Sequence, residues 1–187
     1  MTLLTLGVLL WALVHLIPSV TPGIKQSLTD KVGEHGFKVI FTLAVVAALA
    51  LIIFGWRSIE QPEYLYTLPL WTRHLGMLLV LIGFILFVAS GQPSRIKQYL
   101  RHPQLTGLIF WASAHLLMNG DSRSLVLFGG LGLWAILEIV FINRRDGEWV
   151  KPEVPPLGQD VKILVIAIIV YGVVAFAHPW LAGVAIM

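Results

Sequence analysis

Apolar residues gather along the chain in long runs, broken by short stretches that hold most of the charges. A helix crossing the hydrocarbon core of a bilayer needs about 20 mostly apolar residues, and six segments approach that length. They are residues 2–20, 38–56, 71–90, 104–119, 124–142 and 161–186. The pattern predicts an all-α fold, a polytopic transmembrane helical bundle of about six spans. The fourth segment is the shortest, and Ser113, His115 and Asn119 make it the most polar. Residues 21–37 and 143–160 are the longest expected loops, the second marked by Pro152, Pro155 and Pro156.

Composition strengthens this picture. The 187 residues are 57% hydrophobic and only 12% charged, where a globular domain carries about twice that charge. The mean hydropathy is +0.84. The excess is spread over all the segments, so residues 1–187 read as a single membrane domain whose first partner is the lipid bilayer. The first segment lacks a basic leader, contains His15 and ends in Pro18, Pro22 and Gly23 without a small-residue cleavage site, so it reads as a retained helix and not a signal peptide. The chain has no cysteine, which excludes disulfides, iron–sulfur clusters and thiolate ligation.

Loops retained in the cytoplasm collect Lys and Arg. One side of the predicted bundle holds ten basic residues, Lys25, Lys31, Lys38, Arg95, Lys97, Arg101, Arg144, Arg145, Lys151 and Lys162, and the other only Arg57, Arg73 and Arg123. The expectation is a cytoplasmic basic side with both termini periplasmic. This asymmetry accounts for the net charge of +3, and no nucleic-acid partner is implied. No phosphate-binding glycine loop, G-x-S-x-G, H-E-x-x-H or dinucleotide fingerprint occurs, so any site lies among the helices or at their mouths.

Ionisable side chains at bilayer depth are costly and mark sites. His15 lies in the first span, His115 in the fourth and His178 in the sixth; His102 opens the fourth, and His35 and His74 stand near loop ends. A neutral imidazole in an apolar bundle serves either as a helix-to-helix hydrogen bond or as an axial haem ligand, and two on separate spans are what bis-histidine ligation needs. Trp11-Ala12-Leu13-Val14-His15-Leu16 echoes Trp111-Ala112-Ser113-Ala114-His115-Leu116. In both, Trp and His stand at i and i+4 on one helix face. The two spans run in opposite directions, as chance or an inverted-topology repeat would give. At about 1.5 Å per residue His15 lies nearer the cytoplasmic end and His115 nearer the outer end, so a shared iron requires tilt, and His102 competes with His115 as the partner of His15. Glu138 is a lone carboxylate in the fifth span, suited to a structural hydrogen bond, a histidine, a quinone or a proton path. Asn119-Gly120-Asp121 reads as a turn with Asp121 capping the fifth helix. Gly7, Gly76, Gly83, Gly129, Gly130 and Gly132 read as close helix contacts, and Trp56, Trp71 and Trp149 as interfacial aromatics.

Gly33-Glu34-His35-Gly36-Phe37-Lys38, Leu70-Trp71, Arg101-His102-Pro103-Gln104-Leu105 and the block from Trp111 to Asp121, continued by Leu127-Phe128-Gly129-Gly130, resemble the NnrU family of bacterial inner-membrane proteins. The R-H-P and W-A-x-x-H-L-L-x-N-G-D blocks are the most specific part. The resemblance implies an accessory role in denitrification, linked to nitrite and nitric oxide reductases, with a respiratory reductase or a quinone as partner. That family is similar in turn to 15-cis-zeta-carotene isomerase, a membrane enzyme using haem b. By that similarity His15 and His115 match its axial ligands to the haem iron and His102 a further motif histidine. Trp11, Trp111, Asn119, Asp121 and Glu138 stand beside them as candidate supporting residues. The isomerase carries a cysteine three residues before the second ligand, where this chain has Ala112. A cysteine-based ligand switch therefore cannot operate here.

These residues leave three functions open. The first is a haem b accessory protein of nitrogen-oxide respiration. The second is a haem-dependent cis-trans isomerase acting on an apolar, carotenoid-like polyene. The third, a permease for a small solute, is suggested by six spans and the echo but ranks last, because intramembrane charge is confined almost to Glu138.

Overall fold

In the computed structural model the described residues are 1–184, so the last two positions of the sixth predicted span, 185 and 186, lie outside them. The helices are α1 (Thr2–Val20), α2 (Pro22–Arg57), α3 (Trp71–Ser90), α4 (Pro103–Met118), α5 (Ser122–Asp146) and α6 (Leu157–Ala182), with a single 3-10 turn at Arg95–Gln98. All of these except α4 are long and apolar enough to cross a membrane. The 16 residues of α4 span about 24 Å at 1.5 Å per residue, somewhat short of a typical hydrocarbon core. The fold is a polytopic membrane bundle.

The expected loop over residues 21–37 is instead helical, and α2 runs for 36 residues from Pro22. Pro22 follows Thr21 at the first helical position, where a missing N–H costs nothing. The polar stretch then supports itself at i and i+4: Gln26 donates to Asp30 at 2.8 Å, and Lys38 lies 3.8 Å from Glu34. Gly33, with φ 76° and ψ 164°, breaks the helix in two without ending it. The other expected loop is trimmed at both ends, since α5 continues to Asp146 and α6 begins at Leu157.

The chain divides into two compact units, residues 1–67 with 119–148, and residues 68–118 with 149–187.

In the first unit α1 packs on both α2 and α5. Leu4, Val8 and Ile52 form its buried core, with Trp11 and Trp56 against it. Backbones rather than side chains meet between α1 and α2: a Cβ on Gly55 would stand 2.4 Å from Leu4 N, and one on Gly7 2.7 Å from Ile52 N. In lipid, where no hydrophobic force draws helices together, such close approach supplies the packing. Gly130 serves the same end, its Cβ position lying 2.5 Å from Val8 Cγ1, whereas Gly129 meets only Leu125 at an ordinary 3.7 Å. Residues Leu125–Gly129 form a π-helical turn inside α5, the kind of irregularity common near functional positions.

In the second unit α3 stands between α4 and α6 and packs on both. Gly83 and Gly107 face each other across α3 and α4, each Cβ position about 3 Å from the other's carbonyl oxygen. Phe84 meets Tyr171 edge-on at 6.0 Å between α3 and α6.

Candidate functional site

In the first unit, the i, i+4 spacing brings Trp11 and His15 together as expected, their rings stacked with centroids 4.4 Å apart. His15 Nδ1 lies 2.8 Å from the Trp11 carbonyl oxygen. A carbonyl can only accept, so Nδ1 carries a proton, and the neutral tautomer compatible with this contact has its lone pair on Nε2. Trp134 from α5 (centroids 5.1 Å) and Phe41 from α2 (5.5 Å) meet the ring edge-on. His15 is thus a half-buried base inside an aromatic box.

One turn beyond His15 along α1, Ser19 donates to Glu138 Oε1, and both side chains are buried. Glu138 is in turn one turn beyond Trp134 on α5. The seam between the two parallel helices therefore alternates, turn by turn, aromatic and hydrogen-bonding pairs. Three atoms along it are buried without a hydrogen-bond partner among the described residues: Trp11 Nε1, Trp134 Nε1 and Glu138 Oε2. Orphaned buried polar atoms are rare in native structures and demand an explanation. Here they flank a histidine base.

The second unit repeats the motif. Trp111 and His115 lie with centroids 4.7 Å apart, and His115 Nδ1 is 2.8 Å from the Trp111 carbonyl. The same argument places the lone pair of its neutral ring on Nε2. Ala112, at the position where the isomerase has cysteine, is buried. His115 also faces His178 of α6, a neighbour that the sequence did not connect to it.

The other expected participants lie at the start of α4 and at the turn before α5. The His102 carbonyl accepts from Thr106 N at 3.0 Å and so begins α4. Asp121 caps α5 as expected, accepting from Ser124 N at 2.9 Å and Ser124 Oγ at 2.8 Å. Gly120 accepts from Leu65 N and Tyr66 N, Ser122 N donates to Glu63 O, and the Tyr66 hydroxyl donates to Asn119 O at 3.2 Å. These bonds strap residues 63–66 across the turn at 119–122. Only glycine fits at 120, because a Cβ there would overlap the Tyr66 carbonyl oxygen at 1.8 Å. Burial, with the Asp121 charge added to it, pushes the Tyr66 phenol above its ordinary value. Arg123 lies over Trp56 at 4.3 Å and donates to Ile59 O at 3.0 Å.

Among the described residues no group of three or more His, Asp or Glu side chains forms a metal site. What the chain offers is imidazole nitrogens, each oriented by a backbone carbonyl, and that donor set fits an axial ligand of haem iron. No curated protein and no solved structure matches the chain. A family model, described as NnrU protein, matches residues 3–186, nearly the whole length, and so this membrane protein belongs to the NnrU family.

Proposed function

We propose that the chain is an accessory protein of nitrogen-oxide respiration in the bacterial inner membrane that binds haem b through intramembrane histidines, with His15 of the first unit and His115 of the second as separate candidate ligands. One observation carries this reading. Both Trp-x-x-x-His modules anchor Nδ1–H on the tryptophan carbonyl at 2.8 Å, which leaves Nε2 as the basic nitrogen on an apolar, aromatic-walled helix face. That is how metal-ligating histidines are oriented by their outer contacts.

In this reading the tryptophan carbonyls set the tautomer and the ring angle, while the indoles beside them keep water from the imidazoles. Ser19 holds Glu138 in a fixed rotamer within the same seam. Bound haem would supply one-electron exchange or binding of a diatomic gas at the iron. The link to nitrite and nitric oxide reduction comes from the family, and the ten basic residues on one side of the bundle support an orientation with both termini periplasmic.

The test is an absorbance spectrum of protein purified from haem-replete cells, oxidised and reduced, for wild type, His15→Ala and His115→Ala. A Soret band that is lost or shifted in the variants is expected. A wild-type protein with no haem absorption would remove the cofactor from this reading.

A further inference from the structure

The first two helices are held in one register, and that register limits the path of the segment between them. Gly7 of α1 meets Ile52 of α2, and Leu4 meets Gly55, so the two run antiparallel, and the same pairing carried along them sets Val20 beside Val39. The contact of His15 with Phe41 agrees with it. The 19 residues of α1 cover about 28 Å, close to the thickness of a hydrocarbon core. Val20 and Val39 therefore stand at one membrane boundary.

Residues 22–37 leave that boundary and return to it. Helical residues 22–32 extend about 16 Å, whereas Gly33 and the residues between it and Lys38 offer about 10 Å for the way back. An upright helix could not close that path, so residues 22–32 lie nearer the membrane plane than its normal. Gly33 makes the bend with φ 76° and ψ 164°, a combination essentially confined to glycine. The bend also shows in Lys25, whose Nζ lies 5.9 Å from the centre of the Phe37 ring. In a straight helix these two residues would stand about 18 Å apart along the axis.

The residues of this segment suit that position. With about 100° between successive positions, Ile24, Leu28 and Val32 form one stripe, Lys25 and Lys31 border it on either side, and Gln26 and Asp30 share the opposite face. Ile24 and Val32 are 55% and 42% exposed, so the unit itself does not cover the stripe. Gln26 engages Asp30 and Lys38 engages Glu34, which leaves the borders of the stripe basic. Lys25 marks the border turned toward Phe37, where the span begins, so the stripe is turned toward the bilayer.

We propose that residues 22–32 are an interfacial helix that docks on an anionic leaflet: Ile24, Leu28 and Val32 sink to the boundary between headgroups and acyl chains, and Lys25 and Lys31 reach the phosphate oxygens of acidic phospholipids on either side. Gly33 supplies the bend that lays the helix down. Neither haem nor the direction of insertion enters, because the leaflet concerned is the one at which α1 ends.

The experiment takes full-length protein reconstituted in vesicles of phosphatidylcholine alone or with about 30 mol% phosphatidylglycerol. Because the chain has no cysteine, Leu28→Cys and Gln26→Cys each carry a single fluorophore, read against a headgroup-level lipid nitroxide and a neutral aqueous quencher. Each variant must keep the wild-type size-exclusion profile. The label on Leu28→Cys is expected to be quenched mainly by the lipid, and that on Gln26→Cys mainly from water. In the acidic vesicles lipid quenching at position 28 should rise about twofold, and it should fall back at high salt or when Lys25→Gln and Lys31→Gln are added. Labels at 26 and 28 equally open to the aqueous quencher overturn the docking. A position 28 hidden from both quenchers overturns it in favour of a protein partner or a second copy of the chain. Lipid quenching at 28 that responds neither to acidic lipid nor to the lysine substitutions overturns the role given to Lys25 and Lys31.

Discussion

The pairing of Ser19 with Glu138 shows what single residues contribute to this bundle. A carboxyl group at bilayer depth has no water to satisfy it, and the Ser19 hydroxyl is the donor that α1 supplies. Removing that donor leaves Glu138 with both oxygens unpaired, a penalty of about 1 to 3 kcal/mol for a buried group. Ser19→Ala should therefore lower thermal stability in detergent, and Ser19→Ala combined with Glu138→Leu should recover much of the loss, because no polar atom then remains to be satisfied. A double variant as unstable as the single one would show that the pair does not act this way. Tyr66 gives a pH-dependent counterpart. Burial and Asp121 raise its pKa above the ordinary value of 10.0, so the folded state holds this proton where the unfolded chain has released it. The strap to Asn119 keeps its full contribution below pH 10 and loses it as the pH rises through the higher folded value. Alkaline titration of tyrosinate absorbance should show a late-ionising component that is missing in Tyr66→Phe.

At the scale of helices, glycines decide how closely the elements approach. Gly55 lets α2 lie against the backbone of α1, and any side chain there would force the two helices apart. Gly172, in α6, has nothing within 4 Å of its Cβ position. Gly55→Ala should therefore cost about 1 to 3 kcal/mol through overpacking, whereas Gly172→Ala should be neutral or gain about 0.5 to 1 kcal/mol from helix propensity. Thermal melts of the two variants side by side check this, and equal shifts would contradict it. The same scale shows what was legible beforehand. The apolar runs located the long helices because lipid demands length and hydrophobicity, and the Trp-x-x-x-His spacing predicted the two Trp–His ring contacts because i and i+4 share a helix face. Asp121 could be read as a cap because capping is local. The helix over 22–37 was missed because its charges resemble a loop until the i, i+4 pairs Gln26 with Asp30 and Glu34 with Lys38 are weighed. Glu138 finding Ser19, and His115 meeting His178, join residues 119 and 63 positions apart, and no periodicity reports such neighbours.

At the scale of the whole molecule, the distribution of positive charge governs how the bundle is inserted. Moving Lys or Arg across the hydrocarbon core is costly, so the side with ten basic residues should stay in the cytoplasm while the side with three crosses. The absence of cysteine makes this directly measurable, since any single introduced thiol is the only one in the chain. Gln61→Cys lies exposed in the connection between α2 and α3, and Lys151→Cys lies exposed between α5 and α6. With both termini periplasmic, a membrane-impermeant maleimide added to spheroplasts should label Gln61→Cys and spare Lys151→Cys until the membrane is broken. The reverse pattern would invert the bundle. The His102 motif at the start of α4 would then face the periplasm, and the end of α4 and α6 that carries His115 and His178 would face the cytoplasm. Orientation therefore also decides which compartment is nearer to His115 and His178, whose rings lie 6.5 Å apart at that end.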